Sequence, residues 1–263
     1  MRSHVTLSSN SCSVSTTTIM AEPEADGYEI FASALEVLYD EVPATLATTG
    51  GVYIHEQLGR KTITIRTPET CSENWGLQAD GVWQAARYLA DNLLPDLKGK
   101  RVLELGAAAG LPGIVAIGHG PRSVVLSDYP DPGILKRLEE NVKANWEDHG
   151  VDIKALEELG GERFDVVMAA DVLWKQEMHE ALCRTLDQAL VLEDGGRVHI
   201  VAGLHTGRAV IAGFVELVLA AKFEVDEIYE VSVGTTPRRR EWAAERAGET
   251  MGERRLYVHV ESD

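Results

Sequence analysis

One short stretch combines an acid with a run of small residues and is the part of the sequence best suited to hold a nucleotide. Glu104-Leu105-Gly106-Ala107-Ala108-Ala109-Gly110 carries a small residue at every second position after the acid. Small side chains let the backbone approach a ligand closely, and such a turn between a strand and a helix cradles nucleotides in doubly wound α/β folds. A dinucleotide fingerprint needs Gly-x-Gly-x-x-Gly, and Leu111 stands at its third glycine position. The spacing therefore argues against a dinucleotide.

A second acid follows at the end of the next predicted strand. Ser123–Ser127 is apolar at its centre, and Asp128 stands at its carboxyl end. A carboxylate about 20 residues beyond the loop can accept hydrogen bonds from both ribose hydroxyls. Asp128 also opens the turn-forming Asp-Tyr-Pro-Asp-Pro segment, and the two roles are compatible. The loop spacing and this acid together are typical of S-adenosylmethionine-dependent methyltransferases; the alternative is a tight turn in another α/β protein.

Strands and helices alternate along the chain and position these residues. This alternation predicts an α/β fold, a doubly wound Rossmann-like sheet of seven strands that is mostly parallel with an antiparallel edge strand. The strands are predicted at 102–105, 123–127, 151–153, 164–170, 197–202, 223–229 and 255–260. The helices are predicted at 80–90, 111–117, 132–145, 179–192 and 208–221.

The first seventy residues have a different character. Residues 1–20 are rich in Ser and Thr and predict a disordered leader, and Met20 is a second candidate start. Residues 21–72 form an N-terminal extension, with a helix at 28–39 and strands at 51–54 and 61–66 that pair through a turn near Gly59 and make a small cover. Residues 73–263 are the predicted methyltransferase domain.

Composition limits the possible partners. The 263 residues are 44% hydrophobic, enough for one large domain, and no apolar run reaches the length of a membrane span. The net charge of −17 disfavours nucleic acid and suits a basic protein substrate, although a solvated acidic surface is the simpler interpretation. Three scattered cysteines fit a reducing compartment, and no His/Cys/carboxylate spacing indicates a metal. We expect a cytoplasmic monomer.

Four motifs together resemble the lysine methyltransferase-like group of seven-strand methyltransferases. They are the loop with Leu111-Pro112, Ser127-Asp128-Tyr129-Pro130-Asp131, Ala170-Asp171-Val172-Leu173-Trp174 and Ala202-Gly203-Leu204-His205-Thr206-Gly207-Arg208. The resemblance covers roughly 75–260. It is strongest to the fungal branch that methylates the N-terminal glycine and adjacent lysine of translation elongation factor 1-alpha, a branch formerly labelled nicotinamide N-methyltransferase-like.

The resemblance implies roles for individual residues. S-adenosylmethionine would be bound by Trp75, Glu104, Gly106, Ala107, Ala108, Gly110, Asp128 and Ala170, and the acceptor nitrogen would face Asp171 and Trp174. The family also carries a tryptophan beside the adenine near the end of the third strand. The segment 145–164 offers no match, because Trp146 falls at the end of a helix. This departure makes a catalytically degenerate binding protein one alternative, and a small-molecule, nicotinamide-type N-methyltransferase is another.

Simpler roles compete at each acceptor-side residue. Asp171 could hold an incoming ammonium or cap the next segment, and Trp174 could line a channel or pack in the core. His205 follows a strand without a partner in view, so a structural role is expected. The run Arg238-Arg239-Arg240 predicts a solvated loop.

Overall fold

The computed structural model describes residues 45–69, 75–92, 97–147, 150–191, 195–221, 223–232, 238–248 and 256–262. The predicted leader and the helix at 28–39 lie outside these residues. The strands are β1 (Thr45–Ala47), β2 (Val52–His55), β3 (Ile63–Arg66), β4 (Val82–Trp83), β5 (Arg101–Leu105), β6 (Ser123–Asp128), β7 (Val151–Ala155), β8 (Val166–Ala170), β9 (Arg197–Gly203), β10 (Val225–Ser232), β11 (Arg239–Glu241) and β12 (Leu256–Ser262). The helices are α1 (Gln84–Asp91), α2 (Leu111–Ile117), α3 (Pro132–Asn145), α4 (His179–Ala189) and α5 (Arg208–Ala220).

The largest sheet of the described residues has eight strands and organises the domain. Its order is β11-β10-β12-β9-β8-β5-β6-β7, and β5 to β9 are mutually parallel. The strand order reverses beside β5, and in such sheets ligands bind at the carboxyl ends of the strands where this reversal occurs. The loop after β5 and Asp128, the last residue of β6, both lie at these carboxyl ends.

Side chains of the central strand alternate between two cores. On β5, Val102 packs in the core that contains residues of α1, α2 and α3, whereas Leu103 and Leu105 pack in the core that contains residues of α4 and α5. This period of two is expected for a strand covered on both faces. The predicted doubly wound α/β fold is therefore confirmed.

The far end of the sheet differs from the prediction in two ways. The antiparallel β12 lies between β9 and β10 rather than at an edge. This insertion pairs both sides of the strand, whereas an edge position would leave half of its backbone groups unpaired. The sheet also has an eighth strand, because the segment predicted as a solvated arginine loop forms β11 and pairs with β10.

The side chain of Arg240 explains why that segment is ordered. Its Nε donates a hydrogen bond of 2.6 Å to Glu230, which is fully buried and is also bonded by Arg208. Burial acts to raise the pKa of Glu230, but the hydrogen bonds from Arg208 and Arg240 outweigh it and lower the pKa. A buried carboxylate requires such partners. The hydrogen bond to Glu230 therefore stabilises Arg240 in a strand that pairs with β10.

The predicted hairpin of β2 and β3 is confirmed as an antiparallel pair. Two asparagines of α3 hold it: Asn141 exchanges hydrogen bonds with the backbone of Arg66, and Asn145 does so with Thr64. The Nδ2 atom of Asn141 also donates to the Ala109 carbonyl at 2.9 Å. Asn141 thus links the hairpin to the loop after β5.

The first domain helix begins later than predicted. Residues Val82 and Trp83 form β4, which pairs with β1, and α1 starts at Gln84. The pairing with β1 competes with helix formation, and this partner lies far away in the sequence.

Candidate functional site

Glu104 fixes the helix that follows the nucleotide loop. It is 1% exposed, and its Oε2 accepts a hydrogen bond of 2.7 Å from the backbone N–H of Gly113 in the first turn of α2. Burial raises the pKa of Glu104 to about 8, although the hydrogen bond from Gly113 acts in the opposite direction. A Cβ on Gly113 would lie 2.1 Å from Leu126 Cδ2 and 2.6 Å from Glu104 Oε2, so a larger residue would force both side chains to move.

The loop between β5 and α2 requires left-handed backbone conformations. The φ angles are +66° at Gly106, +47° at Ala108 and +81° at Gly110. Alanine is disfavoured in this region, so Ala108 stores strain where the sequence pattern has its non-glycine position. A Cβ on Gly106 would come within 2.7 Å of Val172 Cγ1. The loop after β5 therefore lies against the loop after β8.

Asp128 reaches across to this loop. Its Oδ2 accepts a hydrogen bond of 2.6 Å from the Ala108 N–H, and its Oδ1 accepts one of 2.7 Å from the Tyr129 N–H. Burial raises the pKa of Asp128, although both backbone hydrogen bonds act to lower it. A carboxylate has about four acceptor sites, so capacity remains for the two hydroxyls of a ribose.

Ser127 adds a polar group beneath the loop. Its main-chain carbonyl accepts a hydrogen bond of 3.1 Å from the Ala107 N–H, whereas its buried hydroxyl has no hydrogen-bond partner among the residues that the structure describes. A buried polar group without a partner is costly and is commonly found where a ligand or water completes the site. The strained small-residue loop, Asp128 and this hydroxyl together fit the adenosyl part of S-adenosylmethionine.

A third acid, Asp171, lies across from the loop, at the carboxyl end of β8. Asp171 has a φ of +58°, and its Oδ1 accepts a hydrogen bond of 3.0 Å from the N–H of Gly203, the last residue of β9. Burial raises the pKa of the Asp171 carboxyl, although the His205 imidazole and the hydrogen bond from Gly203 act to lower it. A cation beside this carboxylate would offset the cost of ionising it.

The buried His179 holds the segment that follows Asp171. His179, which is 1% exposed, bonds the Leu173 carbonyl through Nε2 at 2.9 Å, and its ring packs edge-on against Phe214. Trp174 is half-buried in this held segment. The alternatives of channel lining and core packing therefore both stay compatible with its position.

Two further residues, Trp83 and His205, lie beside Asp171 and were not among the predicted site residues. His205 Nε2 lies 3.8 Å from Asp171 Oδ1, and the imidazole stacks on the Trp83 indole with ring centroids 5.5 Å apart. The sequence favours a structural role for His205, because its partners come from two distant segments. The available signal was its place two residues after β9, at the carboxyl ends of the parallel strands.

The other predicted residues take the following places. Ala107 is buried in the loop, Gly110 precedes α2, and Ala170 ends β8. Trp75 begins a short 3-10 turn, and its side chain lies outside the described residues. Trp146 donates its indole N–H to the Ile114 carbonyl at 2.9 Å, which accounts for it structurally.

No group of His, Cys, Asp and Glu in the part of the chain that the structure describes could hold a metal ion. No helix there is long and apolar enough to cross a membrane.

A sheet of this order with a strained small-residue loop after β5 and an acid at the end of β6 defines an S-adenosylmethionine-dependent methyltransferase. The sequence model of the lysine methyltransferase family matches residues 64–209, more than half of the chain. The chain belongs to the lysine methyltransferase family.

Curated relatives carry a more specific name. A Gibberella zeae protein, "Protein N-terminal and lysine N-methyltransferase EFM7", is 31% identical over 182 residues, covering 58% of this chain and 69% of the relative. The Aspergillus fumigatus protein of the same name is 30% identical over 156 residues, covering 52% of this chain and 59% of the relative. The chain thus spans about three fifths to two thirds of the length of these relatives.

Solved structures share the fold. A methyltransferase complexed with SAH aligns with a TM-score of 0.56 at 10% identity, covering 81% of this chain and 56% of that one. A Streptococcus mutans SAM-dependent methyltransferase aligns with a TM-score of 0.51 at 10% identity, covering 85% and 56%. At this identity the likeness concerns the fold alone.

Proposed function

We propose that this chain is a protein N-methyltransferase that modifies the N-terminal glycine and adjacent lysine of translation elongation factor 1-alpha. The observation that carries the proposal is the placement of Asp171, a buried carboxylate oriented by Gly203 beside the loop after β5. The names of the fungal relatives support protein N-terminal and lysine methylation. The net charge of −17 favours a basic protein partner over an acidic one.

The donor side needs little chemistry from the protein. When bound, S-adenosylmethionine supplies a methyl group already activated by a sulfonium, so the chain has to bind, align and exclude water. We propose that Asp128 accepts the ribose hydroxyls and that Trp75, Gly106, Ala107, Ala108, Gly110 and Ala170 form the remaining walls. Glu104 acts on the donor site indirectly. Its carboxyl accepts a hydrogen bond from the Gly113 N–H and so holds α2 in place.

The acceptor side must handle a cation. An α-ammonium has an ordinary pKa of about 8 and a lysine about 10.4, so both arrive largely protonated at neutral pH. We propose that Asp171 binds this ammonium and that Trp174 lines its approach. A substrate of the translation apparatus also places the reaction in the cytoplasm, where we propose that the chain acts as a monomer.

The experiment is a methylation assay with purified elongation factor 1-alpha, read by mass spectrometry of its N-terminal peptide. Matched substrates carry an acetylated N-terminus or a Lys→Arg change at the second residue, and free nicotinamide is the small-molecule comparison. Methylation of both the glycine and the lysine supports the proposal, provided that acetylation abolishes methylation of the glycine and the Lys→Arg change abolishes methylation of the lysine. Methylation of nicotinamide with none on the factor would establish the small-molecule alternative instead.

A further inference from the structure

His205 is held in one orientation by two residues from distant parts of the chain. Its imidazole stacks on Trp83 at an interplanar angle of 20°, and its Nε2 faces Asp171. About a third of the side chain remains exposed, so a substrate can reach it. This combination of fixed geometry and access is what a proton acceptor needs.

Trp83 is itself anchored. Its indole N–H donates a hydrogen bond of 3.0 Å to the Gln78 carbonyl, and Gln78 has the unfavourable φ of +54°. Trp83 also pairs with Thr45, because β4 pairs with β1. The indole therefore presents a fixed platform to the imidazole.

The distance between Asp171 and His205 suits an inserted nitrogen atom. The 3.8 Å between Oδ1 and Nε2 exceeds a hydrogen bond, which requires about 2.7–3.2 Å. An amine nitrogen can lie at hydrogen-bond distance from both groups at once. Oδ1 is fixed by the Gly203 N–H, and no described residue donates a hydrogen bond to Oδ2.

The charges around His205 leave Asp171 as its ionic partner. Asp171 is the charged group that faces the imidazole within ion-pair distance among the described residues. Arg208, three residues further on, instead directs its guanidinium to Glu230 and to the Ala243 carbonyl. A protonated imidazole would therefore be stabilised by a carboxylate and not opposed by this arginine.

We propose that His205 is a catalytic residue whose Nε2 accepts the proton that the acceptor ammonium must lose, while Asp171 holds the nitrogen and stabilises the resulting imidazolium. This inference rests on the proposed function, because it concerns an amine acceptor. The N–H bond of the ammonium breaks, its electron pair stays on nitrogen as the nucleophilic lone pair, and the proton passes to Nε2 and then to water. An imidazole, with an ordinary pKa of about 6.5, is a better proton acceptor than a carboxylate of about 3.9.

The kinetic test compares His205→Phe and His205→Gln with the wild type. Phenylalanine keeps a ring on Trp83 without a proton acceptor, and glutamine keeps hydrogen bonding without a titrating nitrogen. General-base assistance is worth about 10²–10⁴-fold, so we expect kcat to fall by about 100-fold at pH 7 with unchanged donor binding. The deficit should shrink towards pH 10, where the α-amine of the acceptor is already neutral in solution. A wild-type kcat in both variants, or an equal deficit at every pH, overturns the proposal.

A second readout needs no turnover. In protein labelled with ¹⁵N-histidine, a peptide beginning Gly-Lys with a free N-terminus should shift the His205 imidazole resonances, and its N-acetylated form should not. His179 is the internal control, because it is buried and bonded to the Leu173 carbonyl. An unmoved His205 resonance at millimolar peptide overturns the proposal. If the wild type does not methylate elongation factor 1-alpha but this titration succeeds, the substrate proposal fails, whereas the contact of His205 with an acceptor amine stands.

Discussion

The proposed donor side and the proposed acceptor side of this site are built in different ways. The donor side comes from one continuous loop and the end of the neighbouring strand, joined by the hydrogen bond between Ala108 and Asp128. The acceptor side joins Trp83, Asp171 and His205 from three separate segments, through a stacked ring pair and a 3.8 Å approach. The difference indicates that the donor side is preformed by local structure, whereas the acceptor side depends on how distant elements pack.

The first prediction concerns how burial of Glu104 makes the free energy of unfolding depend on pH. Burial raises the pKa of Glu104 from 4.5 to about 8, so the folded protein keeps a proton that the unfolded chain loses at lower pH. The unfolded state binds fewer protons in this window, and stability therefore falls as the pH rises from about 4.5 to 8. At about 1.4 kcal/mol per pKa unit, the contribution of Glu104 is at most about 5 kcal/mol.

Glu104→Gln isolates this effect, because glutamine can still accept from Gly113 but does not ionise. We expect the free energy of unfolding of the wild type, measured with urea between pH 5 and pH 8, to fall relative to the variant. Other groups titrate in both proteins and cancel in the difference. Parallel curves would show that Glu104 is already ionised in the fold.

The second prediction breaks the donor side outright. Asp128→Ala removes the proposed ribose acceptor and the partner of the Ala108 N–H. Hydrogen bonds to charged groups contribute about 1.5–3 kcal/mol each, so we expect binding of S-adenosylmethionine to weaken by about 100-fold or more in calorimetric titration. Asp152→Ala, an exposed acid on β7, is the matched control. Equal affinities in the two variants would remove Asp128 from the donor site.

The third prediction disturbs the acceptor side alone. A Cβ on Gly203 would lie 2.5 Å from His205 Nδ1, so Gly203→Ala must displace the imidazole. We expect kcat/KM for the protein acceptor to fall by about 10-fold, or about 1.4 kcal/mol, with the affinity for S-adenosylmethionine unchanged. Gly213→Ala on α5 is the control, since its nearest contact would be 3.9 Å away. A change in donor affinity instead would show that the two sides are not independent.

The smallest effect concerns strain in the donor loop. Ala108 has a φ of +47°, which glycine adopts without steric cost. Because glycine also gives the unfolded chain more freedom, we expect Ala108→Gly to stabilise the protein by only about 0.5–1 kcal/mol. Thermal unfolding measures this gain. A destabilised variant would mean that the unfolded-state entropy exceeds the relieved strain.

The two sides also differ in how well the sequence predicted them. The loop spacing and the acid at the end of the next strand located Gly106, Ala108 and Asp128 together, because local backbone geometry dictates both motifs. His205 was interpreted as structural, since its partners are determined by which strands become neighbours in the sheet. The arginine run was predicted as a solvated loop for the same reason, because the acid that Arg240 bonds, Glu230, is buried on another strand.

Local sequence patterns specify the doubly wound fold and the small-residue loop after β5, because hydrophobic periodicity and turn-forming small residues depend on neighbours a few positions away. The position of β12 between β9 and β10, and that of His205 between Trp83 and Asp171, follow instead from the packing of distant segments. These arrangements depend on pairing and burial between segments far apart in the chain. Contacts between distant segments leave no periodic pattern in the sequence from which they could be predicted.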